Sequence, residues 1–169
     1  MPPRLRKLML TVHVAVSVGW LGAIAAYIAL NVPVLTASDD ELVRAGYLMM
    51  RPVLWYAVVP LAVATLLTGI VQALGSPWGL FRHYWVIISL AFTIFAVTIL
   101  LLHLPAVDSM ADAAHPEGHL RDRGGDLFHS VGGLLVLLVP LVLNIYKPRG
   151  LTRYGWRKQQ ARRDAATRV

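Results

Sequence analysis

The sequence predicts an all-α membrane protein, a four-transmembrane-helix up-down bundle, on three observations. Four apolar runs, 8–30, 53–74, 84–104 and 127–146, contain no Asp, Glu, Lys or Arg. Each is 20 to 23 residues long, enough to cross a hydrocarbon core of about 30 Å. The 169-residue chain is 57% hydrophobic and only 15% charged, where a soluble domain carries roughly a quarter charged residues. The longest stretch outside the runs has 23 residues, which excludes a separate nucleotide-binding or catalytic domain. The expected organisation is a transmembrane domain over 1–146 followed by a basic cytoplasmic tail over 147–169.

The first run follows MPPRLRK, is long enough to span, and has no small-residue cleavage site before Asn31, so it is expected to be retained. Ala15, Gly19 and Ala23 recur every four residues, the spacing that lets two membrane helices approach closely. At about 100° per residue, His13, Ser17, Trp20, Ile24, Tyr27 and Asn31 form one mostly polar stripe. That stripe should face the bundle interior.

The second run opens with Trp55 and Tyr56 and contains Pro60, which should kink it. The turn GSPWG supplies the Gly and Pro of a tight reversal between antiparallel helices. Around it, Trp78, Tyr84 and Trp85 read as interfacial anchors, as do Trp55, Tyr56 and, at the end of the fourth run, Tyr146. Gly132, Gly133 and Pro140 punctuate that fourth run, the two glycines as helix-packing positions. The connections 31–52 and 105–126, 22 residues each, read as long polar loops, against 9 residues for 75–83.

Lys and Arg bias sets orientation. Twelve of the sixteen lie on the side of the two termini and the 75–83 turn, and eight of the nine acids lie opposite. Both termini are therefore expected in the cytoplasm, with the chain in the cell membrane. The pI near 10.3 follows from this bias and from a tail held against anionic headgroups, so no nucleic-acid partner is expected.

With no cysteine, thiolate metal sites and thiol redox chemistry are excluded, and candidate chemistry falls to six histidines. His83, among Arg82, Tyr84 and Trp85, reads as interfacial. His115 and His119 share a polar segment with Asp108 and Asp112, although Pro116 disfavours helix at His115. His13 interrupts an apolar run, where an ionisable group is a functional candidate. His103 and His129 share a depth at the ends of adjacent runs and should face each other. Ser89, Thr93 and Ala96 lie on roughly the face of His103, whereas His83 points about 160° away on an ideal helix, so His103 ranks above His83. Gly133, one turn beyond His129, would leave room for a porphyrin edge.

The stretch HVAVSVGWLGA, with His13 seven residues before Trp20 and Gly22 two further on, resembles the first-helix signature of the copper-resistance-D-like membrane proteins. The same His-to-Trp spacing resembles that of the haem-binding bacterial protoporphyrinogen oxidases. The tail KPRGLTRYGWRKQ is similar to that of an uncharacterised actinobacterial integral membrane family. The resemblance is strongest over the first span; topology alone carries the rest. It implies a haem-ligand role for the position of His13, or an association with copper entry. The chain departs from the oxidase pattern in having no Lys or Arg within a span. It departs from a full copper transporter in having fewer spans and only Met49, Met50 and Met110 on the outer side.

Three expectations follow. The first is a haem b or related redox cofactor held by interior histidines, His13, His103 and His129, with Trp20 and Gly133 beside it, for electron transfer or haem handling. The second is an outer copper or zinc site made by His103, His115, His119 and His129, with Asp108 or Asp112 helping, for metal binding or uptake. The third is a non-catalytic membrane subunit, paired with another membrane protein or with a second copy of itself. The spans contain no carboxylates to line a proton path, and no nucleophile stands with a base.

Overall fold

A computed structural model describes residues 1–76, 78–114 and 126–167. The described residues form helices α1 (Pro3–Thr36), α2 (Asp40–Val53), α3 (Val59–Gly75), α4 (Tyr84–Asp112), α5 (Leu127–Tyr146) and α6 (Arg153–Thr167), with a π-helical turn, Leu54–Val58, joining α2 to α3. Four stretches are long and apolar enough to cross a membrane: α1, the continuous Asp40–Gly75, α4 and α5. In their most apolar windows only 11% to 28% of residues are buried within the chain. The apolar surface therefore faces outward, as contact with lipid requires. The chain is a multi-pass, all-helical membrane protein.

Helix α1 packs on α3 and α5, and α4 packs on the same two, while the backbones of α1 and α4 do not approach closely. The first and third spans are thus diagonal in a four-helix square. The stripe on α1 faces inward: Trp20, Ile24, Tyr27 and Asn31 are buried, and His13 and Ser17 are half-buried. Gly19 admits Leu61 of α3, whose side chain would lie 3.4 Å from a Cβ there, although Ala15 of the same small-residue series is exposed.

Two connections differ from the sequence expectation. Residues 31–52 are not a polar loop, because α1 runs on to Thr36 and α2 begins at Asp40. Asp39 caps α2, its Oδ1 accepting from the Glu41 N–H at 3.0 Å, and Asp40 and Glu41 place negative charge on the first turn. Val43, Gly46, Tyr47 and Met50 form the buried face of α2, and Val34 of α1 fills the space a side chain on Gly46 would need. Residues 105–112 likewise continue α4 as helix. The spans expected at 8–30, 53–74 and 84–104 are parts of longer helices, the middle of α1, the C-terminal part of Asp40–Gly75 and the N-terminal part of α4, and only 127–146 matches its helix, Leu127–Tyr146.

The irregularity expected at Pro60 is the π-helical turn immediately before it. Proline has no N–H for the ladder, and widening the helix by one residue accommodates that loss. Of the expected interfacial aromatics, Trp55, Tyr56, Trp78, Tyr84 and Tyr146 are exposed, but Trp85 is buried. Gly132 and Gly133 are not close-packing positions among the described residues, where a Cβ on either would meet nothing within 4 Å.

The tail is a docked helix. Thr152 donates its hydroxyl to the Phe81 carbonyl (2.6 Å) and its N–H to the Arg82 carbonyl (2.9 Å). The same hydroxyl accepts from the Gly155 N–H at 3.0 Å. A bridge between His83 and Leu151 continues the attachment. The termini, the 75–83 turn and α6 thus share one basic end, and the α1–α2 connection marks the opposite, acidic end.

Candidate metal centre

At the acidic end, α4 and α5 bring two histidines and a carboxylate together. Asp126 stands immediately before α5, and His129 follows one turn later on the same helix. His103 projects from α4, about two turns short of its C-terminus. The His103 and His129 rings are stacked, with centroids 4.0 Å apart and planes 21° from parallel. Asp126 Oδ1 lies 2.7 Å from His103 Nε2 and 3.3 Å from His129 Nδ1.

The burial is uneven in a useful way. The Asp126 side chain is 3% exposed and that of His103 16%, whereas that of His129 is 50% exposed and opens the cluster to its surroundings. The other carboxylate oxygen, Oδ2, accepts the Tyr27 hydroxyl at 2.9 Å. Tyr27 is buried on α1, so the carboxylate is oriented by a third helix and presents Oδ1 to the imidazoles. His103 Nε2 and Asp126 Oδ1 meet as an ion-pair contact at 2.7 Å, but among the described residues neither buried atom completes a well-aligned hydrogen bond. Such imperfectly paired buried atoms are costly in a folded protein unless something further satisfies them.

A metal ion would satisfy both. One donor atom from each of His103, Asp126 and His129 lies within 4.8 Å of the others. Ligand bonds of about 2.0–2.1 Å to zinc place tetrahedral donors roughly 3.3 Å apart, which the 3.3 Å from Asp126 Oδ1 to His129 Nδ1 matches and which the 2.7 Å to His103 Nε2 would reach by a small opening of the pair. The donor set holds nitrogen and oxygen but no sulfur, which suits Zn²⁺ or Cu²⁺ and disfavours Cu⁺. Tyr27 supplies the hydrogen bond that ligating carboxylates ordinarily receive from an outer partner.

The expected helpers Asp108 and Asp112 are not in this cluster. They pair with Arg51 of α2, Nε to Asp108 Oδ1 and Nη1 to Asp112 Oδ1, each at 3.0 Å. Trp55 Nε1 also donates to Asp108 at 3.1 Å. Their place is taken by Asp126, which in the sequence is one of eight acids on that side and stands directly before the fourth apolar run. Its spacing of three before His129 was the available signal. His115 and His119 lie outside the described residues.

The remaining candidates are elsewhere. His13 Nδ1 is 3.0 Å from Thr68 Oγ1, and the ring packs against Gly69, where a Cβ would lie 3.1 Å from the imidazole. His83 precedes α4, with Nδ1 2.8 Å from the Trp78 carbonyl. No pair of histidines among the described residues flanks an open gap, because His103 and His129 are stacked face to face. Trp20 is buried on α1, and Gly133 lies one turn beyond His129 beside open space. Comparisons with protein-family models, curated proteins and solved structures return no match.

Proposed function

We propose that this multi-pass membrane protein captures a divalent transition-metal ion, Zn²⁺ or Cu²⁺, at its acidic end on His103, Asp126 and His129. The observation that carries the reading is the convergence of one donor atom from each of His103, Asp126 and His129 within 4.8 Å of the others, with Asp126 Oδ1 2.7 Å from His103 Nε2 and 3.3 Å from His129 Nδ1. Three protein ligands leave a coordination position open to water or an incoming ligand, as in sites that handle their metal's chemistry and unlike closed structural sites. The half-exposed His129 gives the ion an approach. The basic end faces the cytoplasm in this reading, since twelve of sixteen Lys and Arg lie there. The metal is accordingly taken from the extracytoplasmic side of the cell membrane, and metal uptake or resistance is the role that follows.

Titration of metal-stripped, detergent-purified protein with Zn²⁺ and with Cu²⁺ tests this. One equivalent should bind, and His103→Ala and Asp126→Asn should each weaken binding by more than about 100-fold, the upper range for loss of an outer-shell group. His83→Ala should leave it unchanged. Undiminished binding in the double variant, with a wild-type gel-filtration profile, would refute the site. A Soret band in the purified protein that is lost in His13→Ala would instead support haem.

A further inference from the structure

The half of the bundle farthest from the metal cluster is hollow. A cavity of about 710 Å³ lies between α1, α3, α4 and α5 and reaches the basic end, within the size range of small-molecule sites. Its walls are apolar for the most part, yet Trp20, Thr65, Trp85 and Ser89 line it while each is less than 9% exposed. Trp20 Nε1, Thr65 Oγ1, Gln72 Oε1, Trp85 Nε1 and Ser89 Oγ are all buried without a hydrogen-bond partner. These are five of the eight such atoms among the described residues, so the unsatisfied polarity is concentrated on one space.

The chemistry of these atoms specifies an occupant. Indole N–H groups donate only and hydroxyls can donate as well, whereas Gln72 Oε1 only accepts, so four of the five atoms ask for acceptor oxygens and one for a donor. The mouth carries Arg6, Lys7 and Lys147, and no carboxylate lines the cavity among the described residues, so it asks for negative charge. Exposed Leu10, Val14 and Val18 of α1 and Ile145 of α5 form part of the rim, so an apolar chain can extend from the cavity into lipid. Acceptor oxygens next to an anionic head, continued by hydrocarbon, are the features of an acidic glycerophospholipid.

We propose that this cavity binds one acidic phospholipid of the surrounding leaflet, headgroup at Arg6, Lys7 and Lys147, ester oxygens against Trp85 and Ser89 in the first turns of α4, and an acyl chain running deeper. The site is independent of the metal cluster and lies at the other end of the bundle. Its occupant satisfies the Trp85 and Ser89 donors, which would otherwise destabilise a hollow membrane interior.

The test uses the full-length protein in phosphatidylcholine nanodiscs doped with phosphatidylglycerol carrying a photoactivatable group near its ester linkage. A matched phosphatidylcholine probe is run in parallel. The phosphatidylglycerol probe should label the inward positions of α4 and α5, around Ser89 and Pro140, and the phosphatidylcholine probe should not. Each cation beside an anionic headgroup is worth about a fivefold preference. Arg6→Gln with Lys7→Gln should therefore reduce labelling roughly five- to twenty-five-fold, and Ser89→Trp, which fills the space, should abolish it. The charge variants leave the bundle interior untouched, so their result stands even if Ser89→Trp does not fold. Equal labelling by both probes, or labelling insensitive to the charge variants, overturns the proposal. So does labelling confined to outward residues such as Leu102, or none at all, which would leave water in the cavity. A Soret band lost in His13→Ala would replace the lipid by a porphyrin.

Discussion

Asp126 uses its two oxygens for different purposes. Oδ2 takes the Tyr27 hydroxyl, and Oδ1 meets both imidazoles, so the residue joins a structural tie on α1 to a binding cluster on α4 and α5. A hydrogen bond to a charged group contributes about 1.5–3 kcal/mol. Tyr27→Phe removes this one and frees the carboxylate to rotate. The expected result is a bundle that still folds but binds Zn²⁺ about 10–100-fold more weakly, the usual penalty for losing an outer-shell partner, as read by calorimetry. Unchanged affinity would show that burial alone orients Asp126. Tyr27 itself was legible in the sequence, since it falls on the polar stripe of α1. Asp126 was not, because counting charges to delimit a span assigns every acid at its edge to solvent, and the 3% exposure of this side chain arises from a fold in which α1 covers it.

Among the elements, α6 is the one whose placement rests on backbone proximity. Gly155 lies against the Arg82 carbonyl so closely that a Cβ could not be accommodated without movement. Forcing extra volume into such a contact costs about 1–3 kcal/mol. Gly155→Ala should therefore release the tail from the 75–83 turn while leaving the bundle folded, with faster tryptic cleavage at Arg157 and Lys158 as the readout. Equal cleavage rates would mean that the Thr152 hydrogen bonds alone hold the helix. This docking is not legible in the sequence beyond a basic tail, since the partner of Gly155 is the backbone carbonyl of Arg82, distant along the chain. Helix α2 was more nearly within reach. Its buried face, Val43, Gly46, Tyr47 and Met50, has the 3.6-residue period of an amphipathic helix, which a division of the chain into charge-free spans and the loops between them passes over.

For the whole molecule, charge asymmetry and height decide how the bundle sits. With the basic end in the cytoplasm, a C-terminal alkaline-phosphatase fusion should be inactive and a green-fluorescent fusion bright; the reverse pattern would invert the proposed side of metal capture. The four apolar runs were fully legible because lipid imposes a length and a composition. The heights were not. The continuous helix Asp40–Gly75 has 36 residues, about 54 Å, against a hydrocarbon core of about 30 Å, so α1 and the α2 segment extend past the bilayer and build a cap over one end. The Tyr27–Asp126 hydrogen bond, which joins residues 99 apart in sequence, also carries a consequence in time. It ties the first span to the last, so during synthesis it cannot form until α5 has left the ribosome and inserted. A chain halted after α4 has neither Asp126 nor His129, so the proposed metal site cannot assemble before the bundle is closed.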